Sequence, residues 1–441
     1  MTAEIAVLNS EGIALASDSA VTSELEYTQK ISTSSNKIFS LSNDKPVGIM
    51  IYGNARFVNY PWETIIKVFR NNNLSLNGYP TLEDYATSFI NYLISENLEL
   101  DQFDEDNYIA AFVELFLYKI RKDSFLEVDS RIEQGEEFSS TLLHECTLEV
   151  VNGYDGDFSS GNIIIPINQG RNVINRYRRG VRQSIQNILG DILSQPERSN
   201  IIRIIINAFS RHFLEDLWTG VVIVGFGERE LLPHIYSYKV EGRFNYITRT
   251  LNRPILKYEF DEDKSVTSGA MSAVVPFAED NMVHRFMNGV DPYYLYAENS
   301  LLSNSCDNFV GTIVSQLDRY NDDEKASITQ QLNQHTNQLL AEFDENMSQV
   351  REQYFSNPVT EAVSRMPKDE LGTIAEALVH LTSLKLKMSE EPETVAGPID
   401  VALITKGDGF IWIKRKHYFD ADKNIRYSMK LLKEILYGRE A

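Results

Sequence analysis

The opening of the chain constrains its fold most. Thr2 to Val7 is a strand-length apolar run, Glu11-Gly12 is a turn signal, and Ile13 to Ala16 is a second apolar run ending at Ser17-Asp18-Ser19. Two such runs around a glycine turn read as an antiparallel hairpin. A hairpin returns the end of its second strand to the start of its first, so Asp18 is expected beside Thr2, sixteen positions away in sequence. Two more strand signals follow, Lys37 to Leu41 and Val47 to Gly53, with Asn43-Asp44-Lys45-Pro46 as the turn between them. Together the four runs predict a meander.

Thr2 adds chemistry to that geometry. With Met1 removed, which the small side chain at position 2 favours, Thr2 carries a hydroxyl and a free α-amine: nucleophile and general base on one residue. An α-amine titrates near pH 8, far below a lysine, so part of it is unprotonated at neutral pH and can take the hydroxyl proton. A threonine at position 2 is commonplace by itself, and Asp18 with Lys37 could equally be a surface ion pair of little worth.

The order of the neighbouring motifs goes further. Thr2, Asp18-Ser19, Lys37-Ile38-Phe39 and Gly53-Asn54-Ala55 resemble, in that order, the opening of a proteasome β subunit and of its bacterial ring-peptidase relative, both N-terminal-nucleophile hydrolases. Gly220 to Gly227 with Pro233 to Gly242 is similar to the family's central hairpin. Pro398 to Ile413, turning at Lys406-Gly407-Asp408-Gly409, is similar to its last one. The resemblance covers at most about half of the chain.

It implies an α+β fold, the four-layer αββα sandwich, enlarged here by two mainly helical insertions at 101–218 and 299–368 within a single domain spanning 1–441. By the same resemblance Thr2 is the nucleophile, Lys37 is the positive charge that lowers its pKa, Asp18 holds Lys37, and Gly53 offers its N–H to an oxyanion. The family's supporting acid and serine fall on Glu393 and Ala396, which keeps a carboxylate and loses a hydroxyl. A second supporting serine is expected before a helix starting near Pro276, where Ser268 and Ser272 stand out of register.

Composition narrows the classes. A hydrophobic content of 43% suits a globular chain, and a net charge of −21, from 63 acids against 42 bases, argues against a nucleic-acid surface. Cys146 and Cys306 form no CxxC, no secretory pattern is read at the N-terminus, and no apolar run approaches membrane-spanning length. These features point to a cytoplasmic location.

Helical spacing appears at Trp62, Ile65, Ile66 and Phe69, and Thr81 is an expected N-cap for a helix over 82–96. Asp101 to Asp106 reads as a solvated acidic loop without calcium-loop spacing. The steps of 3 and 4 through Ile328, Leu332, His335, Leu339, Phe343, Met347, Val350 and Tyr354 predict one long amphipathic helix. It either packs on its own domain, with His335 partly buried in the seam, or forms an arm for a partner subunit. A further helix over 369–388 is expected to present Ile374, Ala377, Leu378 and Leu381. His144-Glu145-Cys146 reads as strand, its neighbours on opposite faces, and neither a dinucleotide, P-loop nor metal motif is found, so no cofactor is expected.

The functional expectation is a threonine peptidase acting on peptides or unfolded protein, a homo-oligomer by resemblance, with an unfoldase or regulatory partner. Two alternatives remain open: a catalytically silent scaffold that binds partners through its helical insertions, and a hydrolase of small-molecule amides.

Overall fold

The opening hairpin forms as its turn chemistry dictates. In the computed structural model, β1 (Ala3–Asn9) pairs antiparallel with β2 (Gly12–Ser17), Glu4 opposite Ser17 and Asn9 opposite Gly12. The Asn9 side chain closes the turn by accepting the Glu11 N–H at 2.9 Å. Gly12 is required there because a Cβ would stand 2.7 Å from the Ile404 carbonyl oxygen. The structure describes residues 2–25, 28–72, 78–95, 98, 102–160, 162–214, 217–244, 247–256, 272–317, 319–389, 394–417, 423–425 and 429. The chain divides into two compact units, Met1–Ile38 with Phe260–Ala441, and Phe39–Glu259. Its mixed helix and sheet is an α+β composition.

After β2 the chain forms a separate two-stranded hairpin, β3 (Val21–Leu25) with β4 (Thr28–Ser32), which the sequence reading missed. The strands β5 (Ile38–Ser40) and β6 (Val47–Gly53) then belong to the sheet of the second unit. The expected four-strand meander is therefore wrong: β1 and β2 take their outer partners from strands far along the chain.

The second unit continues with a small hairpin, β7 (Arg56–Phe57) and β8 (Tyr60–Pro61), and with α1 (Trp62–Asn72) and α2 (Leu82–Ile94). Thr81 caps α2 in a reciprocal box with Asp84, as its position predicts. Trp62, Ile65, Ile66 and Phe69 are the buried face of α1. They join one core with Ile49 and Ile51 of β6 and with Phe89 of α2. Five helices follow: α3 (Gln102–Glu133), α4 (Ser140–Ser160), α5 (Ile167–Arg176), α6 (Arg178–Leu189) and α7 (Gln195–Arg211).

Two expectations are corrected in this segment. From Gln102 onward the acidic stretch is helix and not loop. Ile109, Phe112, Val113, Phe116 and Ile120 recur at helical spacing in the core, and Asp104 and Glu105 in the first turn suit the positive end of the helix dipole. His144-Glu145-Cys146 lies on α4 and not on a strand. The strands β9 (Thr219–Gly225), β10 (His234–Phe244) and β11 (Ile247–Leu256) complete an antiparallel sheet ordered β11-β10-β9-β6-β5.

The chain returns to the first unit with β12 (Ala273–Ala278), which pairs with β1 and places Pro276 opposite Ile5. Pro276 thus sits in a strand and does not start a helix. The strand is an edge of its sheet, where a missing N–H is tolerated. The helix begins later, as α8 (Asn281–Asn288), followed by α9 (Pro292–Ser315) and α10 (Asp322–Arg351).

No residue of α10 is buried, His335 is exposed, and Leu339 and Tyr354 are 63% and 65% exposed. The expected single helix through Tyr354 is interrupted by a π-helical turn, Glu352–Ser356, before α11 (Asn357–Ser364). The next helix, α12 (Lys368–Lys387), buries Leu371, Ala375, Leu378, Val379 and Leu386 against Ala3, Ile5 and Val7 of β1. Ala377 and Leu381 are exposed. The helix carries more apolar residues than one face can hold, and the sheet selects among them.

The last hairpin, β13 (Asp400–Thr405) with β14 (Gly409–Lys414), forms as the sequence suggests, and β13 pairs with β2. The sheet order is β12-β1-β2-β13-β14, so β1 and β2 are interior strands.

One residue tests the second sheet. Gly225 ends β9 at φ 134°, a region closed to L side chains, and a Cβ there would strike the Pro46 carbonyl. Gly225→Ala is expected to lower unfolding free energy by about 1–3 kcal/mol or more, read by urea denaturation.

Candidate active site

Alternation along β1 decides what faces the site. Ala3, Ile5 and Val7 point into the apolar core beneath α12, so Thr2 and Glu4 share the opposite face. Residues two apart on one strand face are close enough to bond, and the Thr2 hydroxyl donates to Glu4 Oε2 at 2.9 Å. Glu4 is fully buried and Thr2 is 8% exposed.

Asp18 arrives through the hairpin. Its N–H donates to the Ala3 carbonyl at 3.2 Å, and its Oδ1 accepts the Ala3 N–H at 3.1 Å. Its Oδ2 accepts the Ala20 N–H at 3.0 Å and the Ala396 N–H at 3.1 Å. One carboxylate therefore clasps the start of β1, the exit of β2 and the segment before β13.

Lys37 completes the cluster from the stretch before β5. Its Nζ is 2.5 Å from Asp18 Oδ1 and 3.3 Å from Glu4 Oε1, with the side chain 5% exposed. The connectivity is Thr2 hydroxyl to Glu4, Glu4 to Lys37, Lys37 to Asp18. Burial raises the Glu4 carboxyl from 4.5 to about 7; Lys37 opposes that rise and Asp18 adds to it. Two carboxylates around one ammonium leave the cluster an acid whose charge changes near neutrality.

The sequence-derived residues are thus distributed unevenly. Thr2, Asp18 and Lys37 come together. Gly53 belongs to the second unit, where it ends β6 at φ 80°, and a Cβ would stand 2.8 Å from the Trp218 carbonyl oxygen. Glu393 and Ser268 lie outside the described residues. Ser272 donates its hydroxyl to the Thr360 carbonyl at 2.6 Å. Ala396 lends the site its backbone N–H.

Glu4 is the residue that sequence reasoning missed. The available signal was a lone acid two residues after Thr2 in an otherwise apolar strand.

Other chemistry does not assemble. His144 Nε2 meets Glu197 at 3.1 Å, while Cys146 is buried in a small apolar cluster that raises its thiol pKa. Among the described residues no group of three or more His, Cys, Asp or Glu is placed to hold a metal ion. No described helix is long and apolar enough to cross a membrane. No family model matches the chain, and a search of curated proteins finds no match.

Two outcomes are expected. Removing the Asp18 carboxylate strands three N–H groups and leaves Lys37 with Glu4 alone, so Asp18→Ala should cost about 3–5 kcal/mol in chemical denaturation. Glu4 holds its proton to about pH 7 when folded but to only about 4.5 when unfolded. Its contribution to stability is therefore complete below pH 4.5 and lost as pH rises to about 7. The difference in unfolding free energy between wild type and Glu4→Gln should change by about 3 kcal/mol across that window.

Proposed function

We propose that this chain is a threonine-type amide hydrolase of the N-terminal-nucleophile kind, with peptides as its substrate. The observation that carries this reading is the buried connection of the Thr2 hydroxyl through Glu4 to the Lys37–Asp18 pair. Cleavage of the bond before Thr2 frees its α-amine. The hydroxyl oxygen attacks a substrate carbonyl, the amine product leaves with a proton, and water then hydrolyses the ester on Thr2. The fixed charge of Lys37 favours negative charge developing on the Thr2 oxygen, and Asp18 keeps that ammonium in place.

The finer fold reading goes with this function: a four-layer αββα sandwich supported by two five-stranded sheets, each with helices packed on it. In this proposal residues 101–218, which carry α3 to α7, and residues 299–368, which carry the rest of α9 from Asn299 with α10 and α11, are insertions into that framework. A homo-oligomer, an unfoldase or regulatory partner and a cytoplasmic location complete it.

One observation favours a silent scaffold as second reading. Tyr293, Leu301 and Phe309 on α9 are 77%, 67% and 61% exposed, which suits partner binding.

The test is the intact mass of untagged protein before and after incubation with a peptide epoxyketone, which reacts only where hydroxyl and free amine share one residue. A single adduct on Thr2, absent in Thr2→Ala together with all peptide hydrolysis, is the expected result. A free Thr2 that never reacts would transfer the case to the scaffold.

A further inference from the structure

We infer that Glu4 is a second base for the Thr2 hydroxyl, so that this nucleophile is activated by a side-chain carboxylate even while its amine is blocked. The inference rests on the reading of Thr2 as nucleophile.

The geometry is already that of a base holding its proton donor. Glu4 Oε2 accepts the Thr2 hydroxyl at 2.9 Å, within the reach that general-base catalysis needs. Glu4 lies on the interior strand β1, and Thr2 directly precedes that strand with its carbonyl accepting the Glu279 N–H at 2.9 Å, so backbone hydrogen bonds hold both residues in place. The groups facing Glu4 are few. Lys37 lies 3.3 Å from Oε1, Asp18 stands behind Lys37, and the cross-strand neighbours Ser17 and Phe277 bring no charge. Glu279, whose N–H meets the Thr2 carbonyl, accepts from Asn281 with its own carboxylate.

Burying this acid costs stability that an apolar residue would not, and a titration near neutrality suits a base working at physiological pH. A purely structural partner for Lys37 is already present in Asp18.

The step balances without any added reagent. The Thr2 proton passes to Glu4 Oε2 as the Thr2 oxygen bonds to the acyl carbon. The tetrahedral adduct collapses, the leaving group takes that proton, and the ester remains on Thr2. In the second half water gives its proton to the same carboxylate, its oxygen bonds to the acyl carbon, and the Thr2 oxygen leaves reprotonated. The net change is one amide and one water converted to one acid and one amine.

The experiment uses a β-lactone, which acylates a hydroxyl and needs no amine, with the adduct on Thr2 followed by intact mass. Untagged wild type, wild type carrying an uncleaved N-terminal tag, and untagged and tagged Glu4→Gln are compared across neutral pH. Both wild-type forms should be acylated, faster as pH rises through about 7. Tagged Glu4→Gln, which has neither base, should be about 100-fold slower than tagged wild type and lose that rise, while untagged Glu4→Gln keeps the part of its rate that the free amine supplies.

A tagged wild type that is inert while the untagged form reacts would overturn the inference and leave Thr2 as an amine-dependent nucleophile. Tagged Glu4→Gln reacting at the rate of tagged wild type with the same pH profile would overturn it in the same way. Failure of untagged wild type to react would overturn both readings. Glu4→Gln removes a buried charge and is expected to fold at least as stably as wild type at neutral pH, so a thermal melt separates lost chemistry from lost structure.

Discussion

Everything in the first unit that bears on chemistry is anchored to the carboxylate of Asp18. It accepts backbone N–H groups from Ala3, Ala20 and Ala396 and pairs with Lys37, all within a buried site. A carboxylate with four donors is strongly held, and so are the segments that supply those donors. The start of β1, the loop after β2 and the approach to β13 meet on this one side chain, which fixes where Thr2 and Lys37 stand.

The Glu4 carboxylate is held less completely. Its Oε2 has the Thr2 hydroxyl and its Oε1 has only the ammonium at 3.3 Å, with no hydrogen-bond partner of its own. Burial then favours the neutral acid, and the opposing charge of Lys37 only partly restores the anion. Asp18 and Glu4 flank the same lysine but do different work. One is saturated with donors and locks the backbone. The other is short of donors, so burial raises its pKa to about 7 while it accepts the Thr2 hydroxyl.

Much of this was legible in the sequence where contacts are local. The Glu11-Gly12 turn between apolar runs predicted Asp18 beside Thr2, and Asp18 does reach the start of β1 through the Ala3 N–H, while the spacing of Trp62, Ile65, Ile66 and Phe69 gave the buried face of α1. Glu4 was legible in principle, since strand alternation puts it on the face of Thr2. It was passed over because its type is ordinary and only burial makes it unusual. The acidic start of α3 was misread for the opposite reason: local polarity outweighed the apolar spacing that follows it.

The sequence alone therefore determined the opening hairpin, the Thr81 cap of α2 and the turn of the last hairpin, because each depends on residues a few positions apart. Only the tertiary structure decided which strands flank β1 and β2, which face of α12 is buried, and that Pro276 lies in an edge strand. It also decided the site. The Ala396 N–H reaches Asp18 across 378 positions, and the proton affinity of Glu4 follows from the water excluded around it. Pairings between distant segments and the loss of solvent are properties of the packed chain, and no local pattern of residues encodes them.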